Sequence, residues 1–495
     1  MNRRSNIELL NGVKEPFDFL ILGGGATGLG CALDASSRGY SVLLLERYDF
    51  CKGTSSRSTK LIHGGVRYLE KGQLSLVYQA LKERDILIKN APHLVNQVGF
   101  LIPTYNYFRK IYYWIGLTLY DFISGNKIFK KSKMIGFEKA LSLVPNINKE
   151  KLKGGVVYYD GQFNDSRMGI DIALTATNNN AILINYMPVE SLIKKNSRVV
   201  GVKAKDSLFD KEYEIQAKNI INCTGVFSQS VMSMDSAESK SLITASQGVH
   251  LVVDKKFLNG GFGILVPKTS DSRVLFAVPW LGEVLLGTTD TELEKPTIDP
   301  IPTEKEIEFI IDNAKKYMHI KPSKKDIKSV FVGLRALVGT NKNIKSKDIS
   351  RDHKIIVSDS GLISVIGGKW TNYRIMGKEV VDKAIKASNI KFVESQTENL
   401  KIKNGLGNIG TDEKSLSSIF YISKSQIQYY LREEMAINLD DIMSRRSRCL
   451  FLNSKESIAI APKVVEIMAN ELSKDKDWIE NQLNQFYKLT KLYSI

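Results

Sequence analysis

One short stretch of the sequence, residues 53–72, concentrates side chains that can bind phosphate or move protons. The hydroxyls of Thr54, Ser55 and Ser58, together with backbone amides, can donate hydrogen bonds to phosphate oxygens or to the polar edge of a ring. The same stretch holds His63, one of five histidines in the chain. Histidine side chains titrate near neutral pH, so His63 is a candidate to accept a proton from an alcohol, although a lone histidine is more often structural.

A glycine-rich turn earlier in the chain has the spacing of a dinucleotide-binding motif. The apolar run FLIL leads into GGGATG, residues 23–28, and then into a helical pattern from Leu29 to Arg38. Gly23 permits a tight turn, Gly25 lets the backbone approach a pyrophosphate, and Gly28 lets the helix pack against the strand. A second apolar run ends at Glu46, 21 residues after Gly25, where an acid can accept hydrogen bonds from ribose hydroxyls. This context favours a nucleotide-binding unit over a glycine-rich turn of an unrelated α/β protein.

The hydrophobic pattern outlines the elements that must position these residues. It predicts strands over 199–206 and 215–225, several strands between 248 and 289, a helix over 303–318, and a strand at 362–368 that leads into a helix over 371–388. This order predicts an α/β fold: a nucleotide-binding domain built from discontinuous segments, covered by an inserted mixed sheet. The sequence then becomes helical and rich in charge, so we expect two domains, 1–395 and a C-terminal helical domain over 396–495.

Composition limits the classes of protein to be considered. The 495 residues include 70 Lys and Arg against 53 Asp and Glu, a formal net charge of +17, and 43% of the residues are hydrophobic. This is the profile of a packed globular protein whose anionic partner is a nucleic acid, a membrane surface or a phosphorylated substrate. The four cysteines are widely separated and form no ligand pair, so we expect neither a metal site nor disulfides. We also expect no signal peptide and no membrane-spanning segment.

Longer motifs resemble those of a known family. GGGATGLGCALDASSRG, GTSSRSTKLIHGGVRYL, VVYYDGQFNDSRM, PWLGEVLLGTTD, GLRAL and SGLISVIGGKWTNYR follow one another along the chain. In these motifs and their order the chain resembles the FAD-dependent glycerol-3-phosphate dehydrogenases, particularly the quinone-linked mitochondrial branch. The resemblance implies a glutathione-reductase-like FAD-binding fold. It also implies oxidation of sn-glycerol 3-phosphate to dihydroxyacetone phosphate, by hydride transfer from C2 to flavin N5, with electrons passing to ubiquinone or menaquinone.

The resemblance also implies roles for residues near the reaction. Arg67 and Arg335 should point into the substrate pocket, where a planar guanidinium can hold phosphate oxygens or the hydroxyl group, and surface ion pairing is the alternative for both. Lys369 should lie near the flavin ring, stabilise its reduced anion and help to orient the substrate, with Thr371 at the same helix start. His63 is favoured as the base that takes the C2 hydroxyl proton, and a nearby basic side chain or a water is the alternative.

The implied cofactor contacts are more numerous and run along much of the chain. They are Gly23, Gly25 and Gly28 at the turn, Glu46 at the ribose, Thr54, Ser55, Ser58 and Lys60 around the diphosphate and flavin, Val189, Thr224 and Gly225 on the adenine side, and Gly368, Lys369 and Thr371 at the flavin. Val226, Ala336 and Asn372 depart from the family pattern, which puts loop rigidity and the contacts after Lys369 in doubt. No EF-hand calcium loop is present in the sequence.

An aromatic and basic segment, residues 101–134, suggests contact with a membrane surface. Its nine aromatic residues are Tyr105, Tyr107, Phe108, Tyr112, Tyr113, Trp114, Tyr120, Phe122 and Phe129, and its six basic residues are Arg109, Lys110, Lys127, Lys130, Lys131 and Lys133. Such a mixture suits a segment lying on anionic lipid close to a quinone, and a buried helix flanked by solvated lysines is the alternative. We therefore expect a cytoplasmic protein held peripherally on the inner face of the cell membrane, with a homodimer as one expectation.

Two rival functions remain at this point. A glycerol-3-phosphate oxidase would share the flavin and substrate sites but would reduce oxygen to hydrogen peroxide. A basic nucleic-acid-binding protein would show steeply salt-dependent binding to DNA or RNA and no flavin absorbance. The sequence contains no recognisable nucleic-acid-binding motif, so we expect no nucleic acid partner.

Overall fold

The computed structural model describes residues 1–66, 69, 72–125, 129–238, 242–267, 269, 273–339, 352–407, 409 and 413–495. Within these ranges the strands form two sheets, one of eight strands and one of ten. The first sheet carries the glycine turn, and the second provides the opposite wall of the site. No helix in the described ranges is long and apolar enough to span a membrane.

The eight-stranded sheet has a parallel centre. Its strands are β1 (Phe17–Leu22), β2 (Val42–Leu45), β7 (Ile182–Ile184), β8 (Val189–Lys195), β9 (Arg198–Asp206), β10 (Lys211–Asn222), β17 (His353–Val357) and β18 (Ile363–Gly367). The order is β17-β18-β10-β1-β2-β7, parallel from β18 to β7, while β8 and β9 form an antiparallel extension of β10. β1 is central and its side chains from Phe19 to Leu22 are buried on both faces, as expected for the middle of a parallel sheet.

The helices are numbered in chain order. They are α1 (Arg3–Gly12), α2 (Ala26–Ser37), α3 (Leu74–Asn90), α4 (Tyr107–Ser124), α5 (Phe137–Leu143), α6 (Asp165–Asn178), α7 (Ser228–Asp235), α8 (Glu304–Tyr317), α9 (Tyr373–Ser388), α10 (Lys424–Glu433), α11 (Cys449–Leu452), α12 (Ser454–Leu472) and α13 (Lys476–Thr490). α2 packs against α6 and α9 through buried residues such as Leu29, Ile172 and Val380. Each large side chain buried in this way contributes about 1.5–3 kcal/mol to folding.

Two predicted helices show how local sequence sets their limits. The helix predicted over 303–318 is α8, and it starts where the Thr303 side chain accepts a hydrogen bond from the Glu306 amide while Glu306 bonds back to Thr303. This reciprocal cap satisfies backbone amides that would otherwise lack partners. The helix after the glycine turn begins at Ala26, earlier than the helical stretch predicted from Leu29, because Gly25 itself is the residue that precedes its first turn.

The ten-stranded sheet is the predicted mixed sheet. Its strands are β3 (Leu61–Ile62), β4 (Val95–Pro103), β5 (Lys133–Ile135), β6 (Gly155–Phe163), β11 (Ile243–Asp254), β12 (Gly263–Val266), β13 (Leu275–Trp280), β14 (Glu283–Gly287), β15 (Thr291–Leu293) and β16 (Ile327–Val338). The order is β15-β11-β14-β13-β12-β4-β6-β3, with β16 paired to β11 and β5 to β6. The β12–β4 pair is parallel and the others are antiparallel.

The C-terminal helices pack against the second sheet. One apolar cluster joins Phe100 and Phe331 of that sheet to Leu450, Val464 and Phe486 of α11, α12 and α13. A buried ionic network joins the same region to the segment after β2 and to α6: Asp49 accepts hydrogen bonds from Arg445 and Arg446, and Arg167 donates to Glu434 at 2.8 Å. The division of the chain at residue 395 stays a prediction.

Candidate active site

The glycine turn lies at the carboxyl end of β1, where α2 begins. Gly23 has a φ of +103°, a conformation that favours glycine, and a Cβ there would lie 2.8 Å from the carbonyl oxygen of Cys223. A Cβ on Gly28 would lie only 1.9 Å from the carbonyl oxygen of Gly23, so α2 can pack this close to the turn only with glycine at that position. Gly25 caps α2, and the first residues of the helix line a cavity. The partial positive charge of a helix N-terminus suits the binding of phosphate groups there.

Glu46 stands beside this turn at the end of β2. Its carboxylate accepts hydrogen bonds from the backbone amides of Gly24 at 2.6 Å and of Tyr48 at 2.8 Å. Burial raises the pKa of Glu46, and the two amide bonds oppose that rise. The acid is therefore fixed in orientation on the wall of the cavity, at the edge of the turn.

Most of the predicted site residues meet in one cavity of about 610 Å³, lined by residues of both sheets. Those that line it are Gly23, Gly25, Glu46, Thr54, Ser55, Ser58, His63, Val189, Thr224, Gly225, Arg335, Gly368, Lys369 and Thr371. Gly28 supports the turn from the side of the helix. Arg67 lies outside the described residues. The volume is within the range of small-molecule and cofactor sites.

The hydroxyl groups predicted to bind the cofactor also make bonds within the protein. The Ser55 hydroxyl accepts a hydrogen bond from the Ala26 amide at 2.9 Å, which fixes the first turn of α2. The Thr54 hydroxyl donates to the carbonyl oxygen of Leu334 at 2.6 Å, across to the second sheet. These bonds hold the stretch 53–58 between the two sheets, so its residues shape the cavity as well as face it.

Lys60 is a predicted contact whose side chain does not reach the cavity. Its ammonium group is fully buried and donates to Asp165 at 2.6 Å and to the carbonyl oxygen of Ser56 at 2.8 Å, and it lies 4.8 Å from the centre of the Phe331 ring. Burial lowers the pKa of Lys60, and the charge of Asp165 opposes that change. The assignment of Lys60 to the diphosphate and flavin is corrected accordingly: its charge is committed to a buried ion pair behind the cavity wall.

Arg335 lies on β16 with its guanidinium group at the cavity wall. Nη1 donates to the carbonyl oxygen of Thr289 at 3.1 Å, Nη2 donates to the hydroxyl of Thr288 at 3.3 Å, and the Asp290 carboxylate is 3.5 Å away. A Cβ on Gly248 would lie 2.4 Å from Nη2, so this glycine makes room for the guanidinium. The contacts orient a planar group that can bind two oxygens of an anion.

Lys369 reaches the cavity from the end of β18. It follows Gly367 and Gly368, whose φ values of +81° and +89° turn the chain sharply after the strand. The next residue, Trp370, donates from its indole nitrogen to the carbonyl oxygen of Ser55 at 2.8 Å. This bond ties the Lys369 turn to the stretch that carries the cavity hydroxyls.

His250 is a cavity residue that the sequence analysis did not single out. It lies in β11, stacks on Phe331 with ring centres 4.9 Å apart, and shares a 2.9 Å hydrogen bond between its Nε2 and the hydroxyl of Thr59. Burial, followed by the charges of Lys60 and Arg335, lowers the pKa of His250 well below its ordinary value. An imidazole with a lowered pKa is a weak proton acceptor, but it can still orient the Thr59 hydroxyl. The sequence signal was weak, because a histidine inside an apolar strand resembles a core residue.

The charge on the cavity wall is predominantly positive. Among the described lining residues Glu46 is the single acid, and the cations are Arg47, Lys52, Arg57, Arg335 and Lys369. Three of these cations have acidic partners: Lys52 lies 2.9 Å from Asp440, Arg57 lies 2.6 Å from Asp299, and Arg335 lies 3.5 Å from Asp290. The balance favours an anionic ligand such as a diphosphate or a phosphate monoester.

Two family models and several known proteins are similar to this chain. A family model described as FAD dependent oxidoreductase matches residues 18–380, and one described as the C-terminal domain of alpha-glycerophosphate oxidase matches residues 391–478. The chain is 37% identical to the mitochondrial glycerol-3-phosphate dehydrogenase of Bos taurus, over 97% of this chain and 74% of the relative. It is 36% identical to the mitochondrial glycerol-3-phosphate dehydrogenase of Arabidopsis thaliana, over 95% of this chain and 85% of the relative.

A solved structure extends the agreement to the fold. The glycerol-3-phosphate dehydrogenase from Bacillus halodurans, complexed with FAD, superposes with a TM-score of 0.79 at 30% identity, covering 99% of this chain and 97% of that chain. The turn, the cavity and the matched family model define an FAD-dependent oxidoreductase. Within that class, the chain belongs to the glycerol-3-phosphate dehydrogenase family. The predicted glutathione-reductase-like α/β fold with an inserted mixed sheet is confirmed.

FAD is the cofactor of this class, and the described residues fit it. The glycine turn and the N-terminus of α2 suit its diphosphate, and Glu46 stands at the distance along the chain expected for a ribose. The cavity runs from this turn to Arg335 and Lys369, so one ligand can extend from the first sheet to the second.

We expect Gly28→Ala to lose most of its bound FAD. The added Cβ cannot coexist with the Gly23 carbonyl oxygen at 1.9 Å, so α2 must move away from the turn. Overpacking of this kind costs about 1–3 kcal/mol or more, and each 1.4 kcal/mol corresponds to a tenfold change in affinity. The ratio of flavin to protein absorbance after purification measures the loss. Gly12→Ala is the matched control, because a Cβ there meets nothing within 4 Å, and full FAD retention by Gly28→Ala would contradict the packing argument.

Proposed function

We propose that this protein oxidises sn-glycerol 3-phosphate to dihydroxyacetone phosphate and passes the electrons to a membrane quinone. The observation that carries the proposal is the single cavity in which the dinucleotide turn, His63, Arg335 and Lys369 share one predominantly positive wall. When bound, FAD supplies the acceptor for the hydride that leaves C2 of the substrate. The roles below are those that the chain's own residues take in this reaction.

Substrate binding is assigned to the cationic end of the cavity. The Arg335 guanidinium, already oriented by Thr288 and Thr289, can hold phosphate oxygens or the hydroxyl group with two parallel hydrogen bonds. Lys369 adds a second positive charge from the opposite sheet and is expected to balance negative charge near the cofactor. Arg67 is expected, by resemblance, to be a further substrate ligand.

Proton removal is assigned to His63. It lines the cavity directly after β3, in the turn that follows the cofactor-facing hydroxyls. The other histidine of the cavity, His250, is disfavoured as the base because burial and the charges of Lys60 and Arg335 lower its pKa, which makes its imidazole a weak proton acceptor. Proton acceptance by His63 as hydride departs would keep the developing carbonyl neutral.

Anaerobic mixing of the purified holoprotein with sn-glycerol 3-phosphate tests the proposal. We expect the flavin absorbance to bleach, whereas unphosphorylated glycerol at the same concentration should bleach it far more slowly because it offers no phosphate to the cationic wall. A flavin that stays oxidised with sn-glycerol 3-phosphate would refute the proposed function. Reoxidation by a quinone analogue supports the dehydrogenase, and rapid reoxidation by oxygen with matching hydrogen peroxide supports the alternative oxidase.

Membrane attachment is proposed through α4 and the basic segment that follows it. The helix is anchored by Leu117 and Tyr120, which are buried, while Phe108 is 84% exposed and Phe122 is 82% exposed. Further exposed apolar residues on the helix are Tyr107, Ile111, Tyr112, Trp114, Ile115 and Leu119. So many exposed apolar residues on one helix are unusual on a monomer in water and mark an interaction site. The exposed Lys130, Lys131 and Lys133 nearby make an anionic lipid surface the partner that fits.

We expect replacement of Lys130, Lys131 and Lys133 by Glu to weaken binding to anionic vesicles at least tenfold. Each basic residue near such a surface contributes about 1 kcal/mol, and reversal adds repulsion. Flotation with phosphatidylserine-containing vesicles measures the change. The control reverses Lys203, Lys211 and Lys218, which are exposed on β9 and β10. Unchanged flotation of the first variant would reject this segment as the lipid contact.

The location at the inner face of the cell membrane and the homodimer stay predictions.

A further inference from the structure

A buried hydroxyl joins α4 to the turn that carries the candidate base. Tyr120 projects inward from α4 and is only 1% exposed. The backbone amide of Gly64, the residue directly after His63, donates a hydrogen bond to the Tyr120 hydroxyl oxygen at 2.8 Å. The same hydroxyl donates to the Asp160 carboxylate on β6, at 3.1 Å and 3.2 Å from its two oxygens. One side chain therefore connects the exposed helix, the second sheet and the backbone beside His63.

Gly64 is packed so closely that its position depends on Tyr120. A Cβ at Gly64 would lie 2.6 Å from the Tyr120 hydroxyl oxygen and 2.5 Å from a methyl carbon of Leu81. The glycine thus allows the backbone to reach the hydroxyl, which explains the first glycine of the HGG sequence by packing. Val77 and Leu81 of α3 enclose Tyr120 in a small apolar cluster, so water is kept from competing for the bond.

A buried ion pair holds Tyr120 itself in place. Arg84 of α3 donates to Asp160 at 2.8 Å and to the hydroxyl of Ser124, at the end of α4, at 3.0 Å. Its guanidinium group also lies 3.8 Å from the centre of the Phe129 ring. Charge-assisted bonds are shorter and stronger than neutral ones, and buried networks of them restrict motion. Contacts among α3, α4 and β6 therefore fix the Tyr120 hydroxyl in its position beside Gly64.

We infer that Tyr120 is a positioning residue, whose hydroxyl fixes the backbone at Gly64 and thereby sets the place of the His63 imidazole in the cavity. The inference rests on the proposed function, in which His63 accepts the substrate proton. A base must lie within hydrogen-bond reach of the proton that it removes, so a displacement of its backbone changes the rate more than the binding of substrate. The helix proposed to rest on lipid is then also part of the support of the reacting groups.

Replacement Tyr120→Phe tests this role while keeping the ring that fills the cluster. We expect the reduction of bound FAD by sn-glycerol 3-phosphate, measured anaerobically in a single turnover, to slow by about tenfold or more, since a displacement of about 1 Å can cost about a hundredfold. The substrate Kd, the FAD content and the melting temperature should change little. Hydrogen exchange of the peptide that spans His63 and Gly64 should become faster, because the Gly64 amide loses its acceptor.

The matched control is Tyr78→Phe, which removes an exposed hydroxyl from the neighbouring helix α3 and should change none of these quantities. An unaltered rate of reduction in Tyr120→Phe would overturn the inference, as would parallel losses of rate, affinity and melting temperature, which indicate a structural role only. Rapid exchange of the Gly64 amide in the unaltered protein would overturn it even if the variant failed to fold. A flavin that sn-glycerol 3-phosphate cannot reduce in the unaltered protein would instead refute the proposed function.

Discussion

His63→Asn is expected to slow the reduction of bound FAD by sn-glycerol 3-phosphate by about 10²- to 10⁴-fold, the usual contribution of a general base. Asparagine is similar in size and can still donate and accept hydrogen bonds, but it cannot take up a proton near neutral pH. The substrate Kd should change by less than about threefold, because a group that acts mainly in the transition state contributes little to ground-state binding.

The measurement is the rate of anaerobic flavin bleaching at saturating substrate, with the Kd obtained from its concentration dependence. His319→Asn is the matched control, because His319 is exposed just beyond α8. Equal losses of rate and affinity would show that His63 binds substrate instead of removing its proton. A rate unaffected by His63→Asn would return the choice to the alternatives, a neighbouring basic side chain or a water.

The elements that depend on residues close together in the sequence were predictable. β1, the glycine turn and β2 follow one another within 30 residues, and each depends on neighbours in the chain, such as the Gly28 position against Gly23. The α8 cap is equally local, since Thr303 and Glu306 are three residues apart. The predicted start of α2 lay too far along the chain, because Gly25 caps this helix and Gly28 lies in its first turn, while glycine is in general a poor helix former.

Interactions between residues far apart in the sequence could not be predicted in this way. Lys60 stands in a motif full of phosphate-binding residue types, yet its partner Asp165 lies 105 positions away, and nothing near Lys60 indicates that its charge is already paired. His250 and Thr59 are separated by 191 positions, so their hydrogen bond could not be read from spacing. The link from Gly64 to Tyr120 has the same character. The aromatic segment was interpreted from its composition, in which Tyr120 counts like the other aromatic residues, whereas Tyr120 is buried and accepts a hydrogen bond from Gly64.

The basic excess of the chain now divides into groups with different partners. Arg335 and Lys369 face the cavity, where an anionic ligand fits. Arg445 and Arg446 are buried against Asp49 and take no part in attracting an external ligand. Lys130, Lys131 and Lys133 remain exposed beside the apolar face of α4. Net charge alone could not distinguish these uses, because a buried arginine and an exposed lysine each add one positive charge to the total.

Arg335→Gln is expected to raise the Kd for sn-glycerol 3-phosphate by about 10²- to 10³-fold, since loss of one partner of a hydrogen-bonded charge pair costs about 2–5 kcal/mol. The neutral amide also leaves Asp290 and the Thr289 carbonyl oxygen without the cation that now lies against them. Retained FAD absorbance is the control for an intact cofactor site. Arg335→Lys should recover only part of the affinity, because an ammonium group keeps the charge but cannot bind two oxygens in one plane.

Comparison of two substrates decides which oxygens Arg335 holds. If the guanidinium binds the phosphate, slow turnover of unphosphorylated glycerol should be almost unaffected by Arg335→Gln, because that substrate never made the contact. If it binds the C2 hydroxyl, both substrates should lose rate by similar factors, since both carry that group. An unchanged Kd for sn-glycerol 3-phosphate together with loss of FAD would contradict both assignments. Arg335 would then stabilise the β16 wall through Thr288 and Thr289 and have no direct part in binding substrate.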